Sequence, residues 1–168
     1  MRDFHPDRQL FAAPCVSSLM RVEPGWIDYN GHLNMAYYNV LFDRCVDEVF
    51  ELLGCGLAYV KERRQSWFTA EVHLRYLREL NANDPVKVTF QLLGYDAKRM
   101  HYFEQLLHAE EGWISATSEN MSLHVDMEQK RTVPVAETVT NALTRMMAAH
   151  AALPRPPVAG RAIAMPRK

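Results

Sequence analysis

From Met35 to Leu53 the apolar residues cover most of a helical circumference. Tyr37, Val40, Leu41, Cys45, Val46, Val49, Phe50 and Leu53 supply them, while Asp43, Asp47 and Glu51 recur at every fourth position. That spacing predicts one narrow polar stripe on an otherwise buried helix. Asn34 suits the N-cap, because its side-chain oxygen can accept from an exposed first-turn amide. Gly54 stands where a C′ glycine ends a helix. A helix of this length rises about 28 Å, and so buried a helix needs something large wrapped around it.

After a shorter helical stretch at Leu57 to Arg64 the period changes. Trp67 to Tyr76, Pro85 to Tyr95, Met100 to Ala109 and Trp113 to Val125 read as four successive strands. Turn residues separate them at Asn81 to Asp84, Asp96 to Lys98 and Glu110 to Gly112, and such short connections favour an antiparallel meander. Cys15 to Val22 reads as a first strand. Glu23 to Leu33, punctuated by Pro24, Gly25, Asn30 and Gly31, reads as a loop. Pro134 is expected to open a terminal helix reaching about Ala152, with Glu137 suited to its start. Strands segregated around one buried helix mean an α+β class. The expected organisation is an irregular lead-in at 1–14, one domain at 15–152 and a flexible tail at 153–168. That tail carries Pro154, Pro156, Pro157, Pro166, Arg155, Arg161, Arg167 and Lys168.

Composition narrows the function classes. The 168 residues suit one domain, and 19 basic against 20 acidic side chains leave a net charge of −1. No global basic field exists to hold a nucleic acid or an anionic membrane, so neither is an expected partner. The longest apolar stretches fall far short of the ~20 residues of a membrane span. Cys15, Cys45 and Cys55 are odd in number and show no CxxC spacing, which points to a reducing, cytoplasmic setting. Met1 to Pro14 lacks the apolar core of a secretory signal. His101, His108, His124 and His150 show no metal-ligand spacing, and no metal is expected.

The chemistry is densest in Trp26-Ile27-Asp28-Tyr29-Asn30-Gly31-His32-Leu33-Asn34-Met35-Ala36-Tyr37-Tyr38. A carboxylate, a glycine turn and a histidine stand just before a buried helix. The first turn of that helix presents unpaired amides near Met35 and Ala36, backed by the positive end of the macrodipole. Such amides can hold a developing oxyanion. A carboxylate on the preceding loop can attack a reactive carbonyl or activate a water that does. The same residues also suit a plain Asx-type turn at Asp28 and Asn30, with Asn34 as a cap and nothing more.

The segment resembles the motif of the hotdog-fold acyl-CoA thioesterases, in the branch of 4-hydroxybenzoyl-CoA thioesterase and its bacterial relatives. That motif is a strand, then Asp-x-x-Gly-His or a close variant, then an Asn and a Tyr at the start of a central helix. Asp28, Gly31, His32, Asn34 and Tyr37 match it in register. Glu71 to Arg78, the turn at Asn83 and Asp84, Tyr95 to Phe103 and Ala116 to Val125 extend the resemblance over roughly residues 16–150. It implies an antiparallel sheet wrapped around the central helix, and a homodimer or dimer of dimers with active sites between subunits. It implies hydrolysis of an acyl-CoA to a free acid and coenzyme A, with no cofactor beyond the coenzyme A of substrate and product. Asp28 becomes the nucleophile or general base and the Met35 amide the oxyanion donor, with His32 beside them.

The segment Trp26 to His32 also resembles the thioesterases of carnitine catabolism that act on betainyl-CoA. A quaternary ammonium prefers an aromatic box, and Trp26, Tyr29, Trp67 and Phe68 are available. Asn34 and Tyr37 are further candidates for substrate contact, and Glu71 for reaching the site from a neighbouring subunit. Arg75, Arg78, Lys98 and Arg99 are candidates for the phosphates of coenzyme A. Two other readings stay open: a hotdog dehydratase or hydratase, and a non-catalytic acyl-CoA-binding module.

Overall fold

The structure is a computed structural model and describes residues 11–165. Most of the expected lead-in, residues 1–10, and the last three tail residues lie outside the described residues. The central helix α1 spans Met35–Leu53, with the bounds its pattern predicts. Asn34 Oδ1 accepts from the Ala36 amide at 3.0 Å, and Gly54 ends the helix at φ 75°. Tyr38, Leu41, Phe42, Cys45, Val49 and Leu53 are buried, while Asp43, Asp47 and Glu51 are exposed. α2, Leu57–Arg63, follows and stops at Arg64, in the left-handed region at φ 56°.

The strands are β1 Cys15–Val16, β2 Met20–Arg21, β3 Gln65–Tyr76, β4 Pro85–Tyr95, β5 Arg99–His108, β6 Ile114–Asp126 and β7 Arg131–Thr132. They form one antiparallel sheet in the order β1-β4-β5-β6-β3, with β2 also on β4 and β7 on β6. Three expectations need correction. The single strand expected at Cys15 to Val22 is two short pieces. Ser17 both donates its amide to the Val88 carbonyl at 2.8 Å and accepts the Val88 amide on Oγ at 3.0 Å, so a side chain replaces the ladder there. The meander holds only for β4, β5 and β6. β3 pairs with β6 rather than with its successor β4, because residues 77–84 cross the end of the sheet, pinned by Leu77 and Arg78 amides on the Ser115 carbonyl and by the buried Leu80. The terminal helix α3 is Glu137–His150, beginning later than Pro134. The amides of Val133 and Val135 bond the carbonyls of His124 and Ala97, and that keeps the segment extended.

One face of the sheet carries Val88, Phe90 and Leu92 of β4, Met100, Tyr102, Glu104 and Leu106 of β5, and Ser118, Asn120, Ser122 and His124 of β6. All of them are buried. α1 covers this inner face, with Cys45 Sγ 3.8 Å from the Val88 carbonyl. α3 packs into the same core, against β4 and α1. His150 takes the Leu92 amide on Nδ1 at 3.0 Å and gives its Nε2 proton to the Ala12 carbonyl at 2.9 Å. Burial lowers its pKa, which agrees with a neutral ring. Beyond α3 the chain lies against the outer face. Gln91 Nε2 donates to the Pro154 carbonyl, and the Gly160 amide bonds both oxygens of Glu119 at 2.8 and 2.9 Å. Among the described residues no helix is long and apolar enough to cross a membrane.

Candidate active site

The Asp28 loop is folded by its own backbone. The Asp28 amide donates to the His32 carbonyl at 3.1 Å and the Gly31 amide returns to the Asp28 carbonyl at 3.0 Å. Gly31 sits at φ 87°, a conformation a side chain disfavours. Ile27 bridges Leu33, the Asn34 amide donates to the Trp26 carbonyl, and the Leu33 amide donates to the Leu80 carbonyl. These bonds fix the loop against the entrance of α1. Asp28 Oδ1 accepts the Asn30 amide at 2.8 Å. The Asx turn therefore exists, and it engages one carboxylate oxygen. Among the described residues Oδ2 has no hydrogen-bond partner.

In the first turn of α1, the Ala36 amide goes to the Asn34 side chain and the Tyr37 amide to the Asn34 carbonyl. The Met35 amide has no partner among the described residues. It lies at the positive end of a long, buried helix, where a developing negative charge is favoured. Two groups thus stand at the entrance of α1: a carboxylate on a loop fixed by its own backbone, and a free amide at a capped helix start. His32 is half-buried, with Nε2 3.9 Å from a Glu79 carboxylate oxygen.

The other candidates are scattered. Trp26 stacks on Tyr37 with ring centroids 5.3 Å apart, and the Arg44 guanidinium lies 5.0 Å from its ring centroid. This chain's own cation therefore already sits on Trp26. Tyr29 is 98% exposed, Trp67 is buried edge-on to His124, and Phe68 is exposed on the edge strand opposite Leu123. Within one chain these four aromatics do not form a box. Glu71 stands on the outer face beside His73, near the His101–Glu119 pair. Arg75 pairs across from Thr117 and Arg99 from Leu123. Six residues of strand separate those partners, about 20 Å, so Arg75 and Arg78 lie at one end of the sheet and Lys98 and Arg99 at the other. Arg78 covers the Trp113 ring at 3.9 Å. Arg99 is held by Asp96 at 2.6 and 2.7 Å, and that pairing draws the Asp96 pKa down. Among the described residues no cluster of three or more His, Cys, Asp or Glu is placed to hold a metal.

The sequence reading missed the cleft beside the first turn. It measures about 420 Å³ and runs between α1 and the sheet, lined by Ala36, Asn39, Asp43, Tyr102, Glu104 and Asn120 among others. Glu104 is fully buried. Asn120 Nδ2 donates to its Oε2 at 3.2 Å, and among the described residues Oε1 has no partner. Burial, and next the charge of Asp43, push its pKa well above the ordinary range. Strand alternation could have found it: Met100, Tyr102, Glu104 and Leu106 share a face by the period of two.

The comparisons with known proteins decide the family. Residues 22–143 match the model of the thioesterase-like superfamily. The chain belongs to that superfamily. It is a hotdog protein of the acyl-CoA thioester hydrolase class, as the Asp28 to Tyr37 segment led us to expect. It is 37% identical over 145 residues to a betainyl-CoA thioesterase of Pseudomonas aeruginosa, covering 86% of this chain and 91% of that one. It is also 37% identical over 147 residues to an L-carnitine dehydrogenase/betainyl-CoA thioesterase of Rhizobium meliloti. There it covers 88% of this chain but spans only 29% of the longer relative. A Staphylococcus aureus protein solved in complex with CoA superposes with a TM-score of 0.84 at 28% identity, over 94% of this chain and 96% of that one.

Proposed function

We propose that this thioesterase hydrolyses a short acyl-CoA, with betainyl-CoA as the first candidate, through Asp28 and the Met35 amide. The observation that carries the reading is the fixed Asp28 loop ending at a capped helix whose first amide is free. The thioester carbonyl oxygen accepts from the Met35 amide, and the helix end stabilises the charge that gathers there. Asp28 either attacks the carbonyl carbon, giving an anhydride that water opens, or takes a proton from the water that attacks. In both routes the C–S bond breaks, the thiolate leaves as coenzyme A, and the acid is released. The betainyl acyl group is carried over from the names of the two relatives.

Two features support a shared site. β3 is the end strand of the sheet, and it exposes Phe68, Val72 and Tyr76 at 50%, 41% and 44%. An unpaired, apolar edge of this length suits pairing with a second copy. Twofold pairing runs the two strands antiparallel, bringing the Arg99 end of one copy towards the Arg75 end of the other. Arg75, Arg78, Lys98 and Arg99 then become one cationic set for the nucleotide of coenzyme A, and Phe68 and Glu71 reach the partner's site. A dimer, or a dimer of dimers, follows. Three buried thiols without disulfides fit a reducing cytoplasm.

Purified protein with a panel of acyl-CoAs and a thiol-detecting dye tests the reading. Steady release of coenzyme A from betainyl-CoA is the expected result. Tight binding of acyl-CoA without turnover would favour a binding module, and water addition to an enoyl-CoA would favour a hydratase.

A further inference from the structure

The charged residues that line the cleft beside the first turn of α1 are both acidic. Glu104 closes its floor and Asp43 stands at its rim, while none of its lining residues is Lys, Arg or His. A fully buried carboxylate with one oxygen unpartnered is costly to keep. The surrounding polar groups do not relieve it: Asn120 gives one proton to Oε2 and also bonds Ser118 Oγ at 2.8 Å. Apolar strand neighbours would pack as well around a neutral side chain. Ala36 and Asn39 belong to the start of α1, so the cleft begins where an acyl carbonyl bound at Met35 would hand on its chain. The Tyr102 ring, stacked on Phe90 at 4.7 Å, adds a π-face to the lining.

We infer that Glu104, assisted by Asp43, is the specificity-determining residue of this thioesterase, and that it selects acyl groups carrying a quaternary ammonium. The inference rests on the thioesterase reading above and replaces the expected aromatic box with a carboxylate floor. An adjoining fixed positive charge favours the ionised form of the buried acid, whose proton leaves to solvent, and so gains a carboxylate partner, while its methyl groups suit the apolar wall made by Val40, Phe42 and Val46. A neutral acyl group of the same shape leaves Glu104 protonated and gains no such partner. Discrimination is therefore by charge, not by size.

The test compares betainyl-CoA with tert-butylacetyl-CoA, its neutral carbon isostere, on the wild-type protein and on Glu104→Gln. The wild type is expected to favour the cationic ester by at least ~10-fold in kcat/KM, and the variant to lose at least ~10-fold of that ratio. Should Glu104→Gln not fold, Asp43→Asn at the exposed rim carries the same comparison, with an expected loss of roughly 3-fold in the ratio. A wild type that favours the neutral ester overturns the inference, as does a ratio that stays within twofold in a folded Glu104→Gln. Turnover of other acyl-CoAs with none of these two overturns it while leaving the thioesterase reading intact. A protein inert to every acyl-CoA overturns both.

Discussion

Tyr76, the last residue of β3, donates its hydroxyl to the Met35 carbonyl at 3.2 Å. The bond ties the edge strand to the first turn of α1, where the free amide lies. A partner strand on β3 would therefore reach this helix start through one side chain. Tyr76 also meets Tyr38 edge-on at 5.0 Å, so the hydroxyl is aimed by packing. Tyr76→Phe keeps that ring contact and removes the bond. A hydrogen bond of this kind contributes about 1 kcal/mol, which for a chain of this size corresponds to a fall of ~2–4 °C in Tm. Calorimetry checks the fall, and kinetics should show kcat reduced more than KM as the first turn loosens.

Glu104 sets a pH dependence. Its folded pKa is raised above the ordinary value of 4.5, by burial first and by Asp43 second, with Asn120 pulling the other way. The folded protein then binds a proton that the unfolded chain releases above that value. Stability is consequently lost as pH rises from about 4.5 towards the folded pKa. Glu104→Gln carries no such proton. Its Tm should exceed that of the wild type at pH 7 to 8, and the difference should vanish near pH 4.5. Thermal melts across this range check it, and equal melting curves at every pH would show that the buried acid is not destabilising. Gained stability with lost discrimination is the expected pairing when a strained group serves function.

Much of this was legible in the chain, for physical reasons. α1 was readable to the residue because three signals coincide there: a helical stripe, the Asn34 cap and the Gly54 stop. The Asp28 loop was readable because glycine and the cap leave a short segment few conformations. The place of β3 was not, since strand neighbours depend on where residues 77–84 cross, and no local period records that. Nor was the scattering of Trp26, Tyr29, Trp67 and Phe68, whose side chains answer to packing on different elements. Glu104 lay hidden in an apolar strand, where a single acidic residue looks like an outward-facing one until the face is assigned.

The nucleotide end of coenzyme A should be felt through Lys98 and Arg99. Replacing both with Ala removes two cations from the β4–β5 hairpin, and Asp96 then loses its partner. The nucleotide is common to all acyl-CoAs and is bound alike in ground and transition states. KM should rise several-fold for every substrate with little change in kcat. An unchanged KM across the panel would remove this pair from the site.

Val72 lies midway along the exposed edge of β3, opposite Asn120. A carboxylate there, in Val72→Asp, would meet its own copy across a twofold strand pair and be repelled. If each site is completed by the neighbouring copy, as proposed, light scattering should then show a 19.4 kDa species in place of a larger one, with activity falling in parallel. A wild-type monomer with full activity would remove the shared-site reading.

Asp28→Asn separates chemistry from structure at the loop. Asn keeps the side-chain oxygen that accepts the Asn30 amide at 2.8 Å, and it keeps the size. The turn, the Gly31 conformation and the approach to α1 should persist, so Tm should stay within about 1 °C, since surface-type changes of this kind cost little. The charge is what disappears. A carboxylate acting as nucleophile or base lowers the barrier chiefly in the transition state, so kcat should fall by at least ~10²-fold while KM moves little. If Asp28 served the turn alone, Asn would serve as well and both quantities would hold. Measuring kcat, KM and a melt together on betainyl-CoA distinguishes the two: a folded variant with near-native kcat would end the catalytic assignment of Asp28 and leave the hotdog fold without its proposed carboxylate.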